Sequence, residues 1–328
     1  MHAVRAIAAV SLVALGVSAA LPQAFAAERP TVDLTKMTPP DFSKVGDDAF
    51  GKLVKYGHAL FTDTANQIGP NAADPAKRYS GNQLTCQNCH MQGGAQAYAV
   101  PMVGIWGEFP QYRPREGEVG TLEERVNGCM QRSMNGRVLP LDSREMKAFL
   151  AYAKWLSAGI PVEAKLVGAS LLPIKDPARA VDLKHGAQVY AQNCASCHGV
   201  DGQGVRAENG KSYQFPPLWG PDSYNDGAGM TRVLTLASFA KYNMPAGVTF
   251  QSPALSDEDA YDVGGYVNSQ VRPHKADLDK DFPIRLQKPV DTGYGPYADG
   301  FGIEQHKFGP FGPIRAKVKE LREQSSGH

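Results

Sequence analysis

Neither sign of charge prevails in this sequence. The 34 lysines and arginines face 33 aspartates and glutamates, for a formal net charge of +1. No basic face is on offer to a nucleic acid, so any electrostatic function must come from local clusters. Beyond the first 26 residues there is no run long and apolar enough to cross a bilayer, and membrane insertion of the body of the chain is not expected. Strand signatures are scarce, whereas glycine (34) and proline (24) are common. That combination predicts a mainly α protein with long loops. Cysteine is sparse too, and five copies are an odd number, which excludes complete disulfide pairing within one chain.

The N-terminus supplies the compartment. Arg5, the apolar stretch Ala6 to Ala20 and the small-residue site Ala24-Phe25-Ala26 form a secretory signal peptide over 1–26. The stretch is short for a membrane anchor. The expectation is a soluble chain beginning near Ala27 and exported to the periplasm. What remains is long enough for two or three domains with real cores.

Four of the five cysteines fall into two copies of one motif, Cys86-Gln87-Asn88-Cys89-His90 and Cys194-Ala195-Ser196-Cys197-His198. C-x-x-C-H is the attachment motif of c-type haem: both thiols bond the porphyrin and the histidine reaches the iron. A single copy is also compatible with a redox dithiol or half a zinc site. Two copies behind an export signal point to two covalently bound haem c groups, with His90 and His198 as fixed iron ligands.

The surroundings of the motifs are duplicated as well. Each is preceded by a helical segment with glycine and, four residues on, an aromatic: Gly57 and Phe61, then Gly186 and Tyr190. Each is followed by a proline-bearing loop ending in Trp-Gly, at 101–107 and 215–220, whose Trp106 and Trp219 are expected on the haem edges. Each half closes with an amphipathic helix, capped by Asp142 and by Ser256. This order predicts two class I cytochrome c domains in tandem, at 45–165 and 178–275. An N-terminal arm spans 27–44, a linker 166–177, and a tail 276–328. The tail's prolines argue against long helices and its aromatics against disorder. It is expected as an extended segment packed over the domains, frayed from Arg315 onward.

For the second haem the sixth ligand is Met244, which precedes Pro245 in "NMPAG"; Met230 is the rival, and packing is the plain alternative. The first domain has no Met-Pro pair. Near the matching place lie Cys129, Met130 and Met134 in "RVNGCMQRSMNG". Helical spacing sets Arg125, Arg132 and Ser133 on the face of Cys129. Arginines and a ferric iron favour the thiolate, which is both an iron ligand and a sulfur nucleophile, and arginines clamp oxyanions. The local pattern equally allows a buried structural cysteine, arginines paired with haem propionates, or a methionine ligand. Tyr112, Arg113 and Arg115 fit a substrate entrance or a solvated loop. His58, His185, His274 and His306 read as surface or packing residues.

The segments "GNQLTCQNCHMQGG", "RVNGCMQRSMNG", "YQFPPLWGPDSYNDGAGM" and "NMPAG", with "VNSQVRPHK" and "GPYADGFGIEQHKFGPF" in the tail, resemble the dihaem thiosulfate dehydrogenases, or tetrathionate synthases. The resemblance runs from about residue 45 to residue 314. It implies that two thiosulfates are joined into tetrathionate with release of two electrons, in some members reversibly. It implies His90 and Cys129 as the ligands of the catalytic haem, with Cys129 carrying a sulfur adduct, and Met244 on an electron-transfer haem that serves a small soluble cytochrome or similar acceptor. Some relatives have a lysine ligand directly before that methionine; this chain has Asn243. The competing functions are a dihaem electron carrier without chemistry of its own and a haem subunit of a larger sulfur-oxidising complex.

Overall fold

The computed structural model describes residues 28–208 and 210–326. The signal peptide expected over 1–26 lies outside them. Among the described residues no helix is long and apolar enough to cross a membrane.

Two helical units follow one another. In the first, α1 (Ala49–Thr62), α2 (Leu122–Arg132) and α3 (Arg144–Leu156) surround the Cys86 motif. In the second, α4 (Leu183–Asn193), α5 (Val233–Asn243) and α6 (Asp257–Ser269) surround the Cys194 motif. Five of these six helix starts carry a side-chain cap, α5 being the exception. Asp48 caps α1, Thr121 and Glu124 form a reciprocal capping box on α2, and Ser256 with Asp259 does the same on α6. The cap of α3 is Ser143 rather than Asp142, since the Ser143 hydroxyl accepts from Met146 N.

The duplicated glycines mark equivalent crossings. α1 packs on α3, and a Cβ at Gly57 would stand 2.1 Å from the Ala148 carbonyl oxygen. α4 packs on α6, and a Cβ at Gly186 would stand 2.2 Å from the Asp262 carbonyl oxygen. Only glycine lets the backbones meet this closely. Leu60, Ile68 and Met146 are fully buried in the first core; Val233, Tyr261 and Phe311 fill the second.

Among the described residues, strand structure is limited to short pairs. Thr31–Asp33 (β1) in the N-terminal arm runs parallel to Lys165–Val167. Gln111–Arg113 and Glu118–Gly120 form an antiparallel hairpin whose strands end directly before α2.

The tail departs from expectation at its end. Residues 276–302 are irregular, with single 3-10 turns, but Phe311–Ser326 is a 16-residue helix, α7. Pro313 lies in its first turn, where the missing N–H has no intrahelical partner to lose. Phe311, Ile314 and Val318 bury one face of α7 in the core of the second unit, so the end is packed rather than frayed. The tryptophans also differ from expectation. Trp106 is exposed beside Lys154, and Trp219 is buried between Tyr190 and Tyr266. The preceding side chains, Ile105 and Leu218, are the ones that line the haem cavities. His58 stacks on Phe42, His185 and His274 pair with carboxylates, and His306 is buried against Tyr297 and Asp299.

Candidate active site and haem pockets

Each C-x-x-C-H motif opens into an apolar cavity. The first is walled by Phe61, Leu84, Met102, Leu122, Met130 and Phe149, with Cys86, Cys89 and His90 on one side and Cys129 on the helix facing them. The second holds Cys194, Cys197, His198 and Met244. His90 Nδ1 lies 2.5 Å from the Val100 carbonyl, and His198 Nδ1 lies 2.8 Å from the Pro216 carbonyl. In both cases the proline-bearing loop after the motif supplies the acceptor. Donation from Nδ1 leaves Nε2 as the metal-binding nitrogen.

The residues present fit two haem c groups. Apolar walls, paired thiols and oriented imidazoles match the covalent porphyrin, and the Tyr224 hydroxyl between the cavities is buried with no hydrogen-bond partner among the described residues. A buried orphan donor calls for an acceptor, and a haem propionate is one. Leu84, Cys89, Tyr224 and Met230 line both cavities, so a single layer of side chains separates them.

Met244 follows the last residue of α5 and lines the second cavity. Met230, the rival, lies in the shared wall. Asn243 turns away from the cavity: it is buried, accepts from Gln96 Nε2 at 2.8 Å and donates to the Tyr98 carbonyl at 3.2 Å, both in the first unit.

Cys129 occupies a boundary. Together with Arg125 and Ser133 it lines the first haem cavity and also a larger, open cavity of about 830 Å³. The wall of this open cavity carries Tyr112, Arg113, Arg115, Arg132 and Arg232. Arg125 Nη1 donates to Cys129 Sγ at 2.7 Å. Burial pushes the Cys129 thiol up, but the charge of Arg125 and the nearby His90 side chain outweigh burial and bring it down to about 6. Cys86 and Cys89 share the cavity without an arginine, and burial pushes both up to about 12. Of the three cysteines around the first cavity, Cys129 is the one whose surroundings favour the thiolate.

The arginines are not equivalent. Arg113 pairs with Glu116 at 2.8 Å, Arg132 with Asp281 at 2.6 Å, and Arg232 approaches Asp291 at 3.9 Å. Among the described residues Arg125 has no carboxylate within ion-pair distance; Glu124, its neighbour, is committed to the capping box. The spacing argument thus brings Arg125, Cys129 and Ser133 together as expected, while Arg132 reaches the cavity with its charge already shared. Tyr112, Arg113 and Arg115 lie on the wall of the open cavity. Asp281, from the tail, was not foreseen; no local spacing relates it to Arg132.

Residues 76–162 match the family described as SoxA/TsdA, cytochrome c domain, and residues 183–270 match Cytochrome c. Curated relatives include the thiosulfate dehydrogenase of Allochromatium vinosum, 41% identical over 83% of this chain and 95% of its own length, and that of Stutzerimonas stutzeri, 40% identical over 80% of this chain and 83% of its own. This chain belongs to the thiosulfate dehydrogenase family. A solved structure, thiosulfate dehydrogenase (TsdBA) from Marichromatium purpuratum in its as-isolated form, superposes with a TM-score of 0.67 at 35% identity, covering 74% of this chain. The chain spans 51% of that longer protein. In a thiosulfate dehydrogenase family member, two tandem cytochrome c domains with paired thiols carry two covalently bound haem c groups.

Proposed function

We propose that this dihaem oxidoreductase joins two thiosulfates into tetrathionate at Cys129, and passes the two electrons singly to a small soluble cytochrome or similar acceptor in the periplasm. The observation that carries this reading is the position of one sulfur: Cys129 Sγ faces His90 across the first haem cavity, is bonded by Arg125, and opens onto the arginine-lined cavity.

His90 and Cys129 would hold the first iron, and His198 and Met244 the second. Each haem, when bound, accepts one electron. The remaining chemistry belongs to the chain. The open cavity admits thiosulfate, whose sulfonate end is clamped by Arg125 and Arg132 with Ser133 as a further donor. Cys129 thiolate and the terminal sulfur of thiosulfate form an S–S bond, giving a cysteine thiosulfonate adduct and two electrons. A second thiosulfate then attacks the outer sulfur of the adduct; tetrathionate leaves and the thiolate returns. Three negative charges stand on each side of both steps, so no proton is consumed. The site's fixed positive charge stabilises the approach of two dianions. The direction of net flux follows the acceptor: for this two-electron couple 30 mV is about 1.4 kcal/mol.

The test is Cys129→Gly in the holoprotein. Thiosulfate-dependent ferricyanide reduction should vanish while both haems stay attached and the thiolate signature of one is lost. Full turnover by the variant removes Cys129 from the mechanism.

A further inference from the structure

The tail beyond residue 275 lies outside both family matches, yet one of its carboxylates stands directly behind the arginine wall. Asp281 is 7% exposed. Its Oδ1 accepts from Arg132 Nη2 at 2.6 Å, and its Oδ2 accepts from Tyr294 OH at 2.6 Å and lies 3.5 Å from Arg115 Nη1. Arg115 and Arg132 meet again at the Gly227 carbonyl, at 2.7 and 3.3 Å. Two guanidiniums from separate elements of the first unit, one between the hairpin strands and one at the end of α2, are therefore gathered onto one carboxylate and one carbonyl. Asp281 itself does not line the open cavity; both arginines do.

The tail is fastened at this point. Phe282 N donates to the Arg115 carbonyl at 2.7 Å, and the Arg115 guanidinium lies over the Phe282 ring at 5.3 Å. At the hairpin turn Gly117 has φ +77°, and a Cβ there would stand 2.4 Å from Pro283 Cγ. The contact is close and extends over several residues, so the carboxylate is held in place by backbone.

We infer that Asp281 is a positioning residue of the substrate cavity: the C-terminal tail completes the site by fixing Arg115 and Arg132 for the thiosulfate dianion. The inference rests on the reading of the arginine-lined cavity as the substrate site. Two like charges packed together separate unless an anion lies between them, and an arginine displaced by about 1 Å costs on the order of a hundredfold in rate. The sign of the effect on KM separates this role from a rival. If Asp281 merely damps the positive potential, removing its charge strengthens the cavity's pull on a dianion, and KM falls. If it positions the arginines, KM rises.

Asp281→Asn in the full-length holoprotein tests this, because it keeps shape and removes charge. The expected result is a rise in KM for thiosulfate, with kcat/KM down by about a hundredfold, unchanged haem content and an unchanged thiolate signature. Asp281→Glu, which retains the charge, should recover part of the loss. In a double-mutant cycle with Arg132→Gln, the combined loss should fall well short of the sum of the two single losses, since Asp281 acts in part through Arg132. A lowered KM, or strict additivity, overturns the inference. If Asp281→Asn does not fold, Asp281→Glu and Tyr294→Phe, which removes the hydroxyl that holds Oδ2 and also reaches Arg115 at 3.4 Å, replace it: unchanged KM in both with impaired haem loading would reduce Asp281 to a structural role and end the inference. Turnover untouched by Arg132→Gln but depressed by Asp281→Asn would instead remove Arg132 from the substrate site and leave the tail acting through Arg115.

Discussion

Replacing Arg125 by glutamine isolates the interaction that distinguishes Cys129 from its two cavity-mates. The guanidinium Nη1 stands 2.7 Å from Sγ. Opposite unit charges with centres about 4 Å apart attract by about 4 kcal/mol at an effective dielectric near 20. Desolvation of the partly buried arginine offsets some of this, and hydrogen bonds to charged groups contribute about 1.5–3 kcal/mol when measured by substitution. A loss of about 2 kcal/mol corresponds to a fall of about 30-fold. The assay is the initial rate of thiosulfate-dependent ferricyanide reduction, normalised to haem content. Arg125→Lys, which restores charge without the planar fork, should fall between the variant and the wild type. The reasoning fails if Arg125→Gln stays within about twofold of wild type, the scatter of substitutions that touch nothing important.

Two predictions concern the scaffold. Gly57→Ala should force α1 and α3 apart, because its Cβ would stand 2.1 Å from the Ala148 oxygen; a loss of about 1–3 kcal/mol should appear as a lower thermal midpoint of the holoprotein, and an unchanged midpoint would disprove the crossing. Asp262 is fully buried with Arg179 and His185 as partners; burial pushes its carboxyl up, but the hydrogen bonds from Arg179 and His185 hold it below its ordinary 3.8, while Asp262 raises His185 above 6.5. The Asp262 contribution is present above pH 3.8 and lost as pH falls through the depressed value; the His185 contribution is complete below pH 6.5 and lost as pH rises through the raised value. The difference in thermal midpoint between wild type and Asp262→Asn should therefore be largest between pH 3.8 and 6.5, and a pH-independent difference would refute the pairing.

The parts legible in the sequence were those written locally. Haem attachment follows from adjacent residues, one of the two named helix starts from its cap (Ser256, whereas Asp142 missed Ser143 by one residue), and the face shared by Arg125 and Cys129 from a four-residue period. The paired glycines were visible as a repeat, although their purpose, two backbones in contact, needed both helices in place. Proline misled in the tail because a breaker inside a helix is a starter in its first turn, and only the burial of Phe311 and Ile314 shows which applies at Pro313. Arg132 was placed on the correct face but its partner was not, since Asp281 arrives from another part of the chain and nothing in its own neighbourhood marks it. The tryptophans were a matter of side-chain direction: the loop was located correctly and the residue facing the cavity was its neighbour.

The wall shared by the two haem cavities has an electrical consequence. Haems held in cavities divided by Leu84, Cys89, Tyr224 and Met230 would not charge independently. An electron on one would raise the energy of an electron on the other by Coulomb repulsion across that thin apolar wall. The two sites would then fill in succession rather than together.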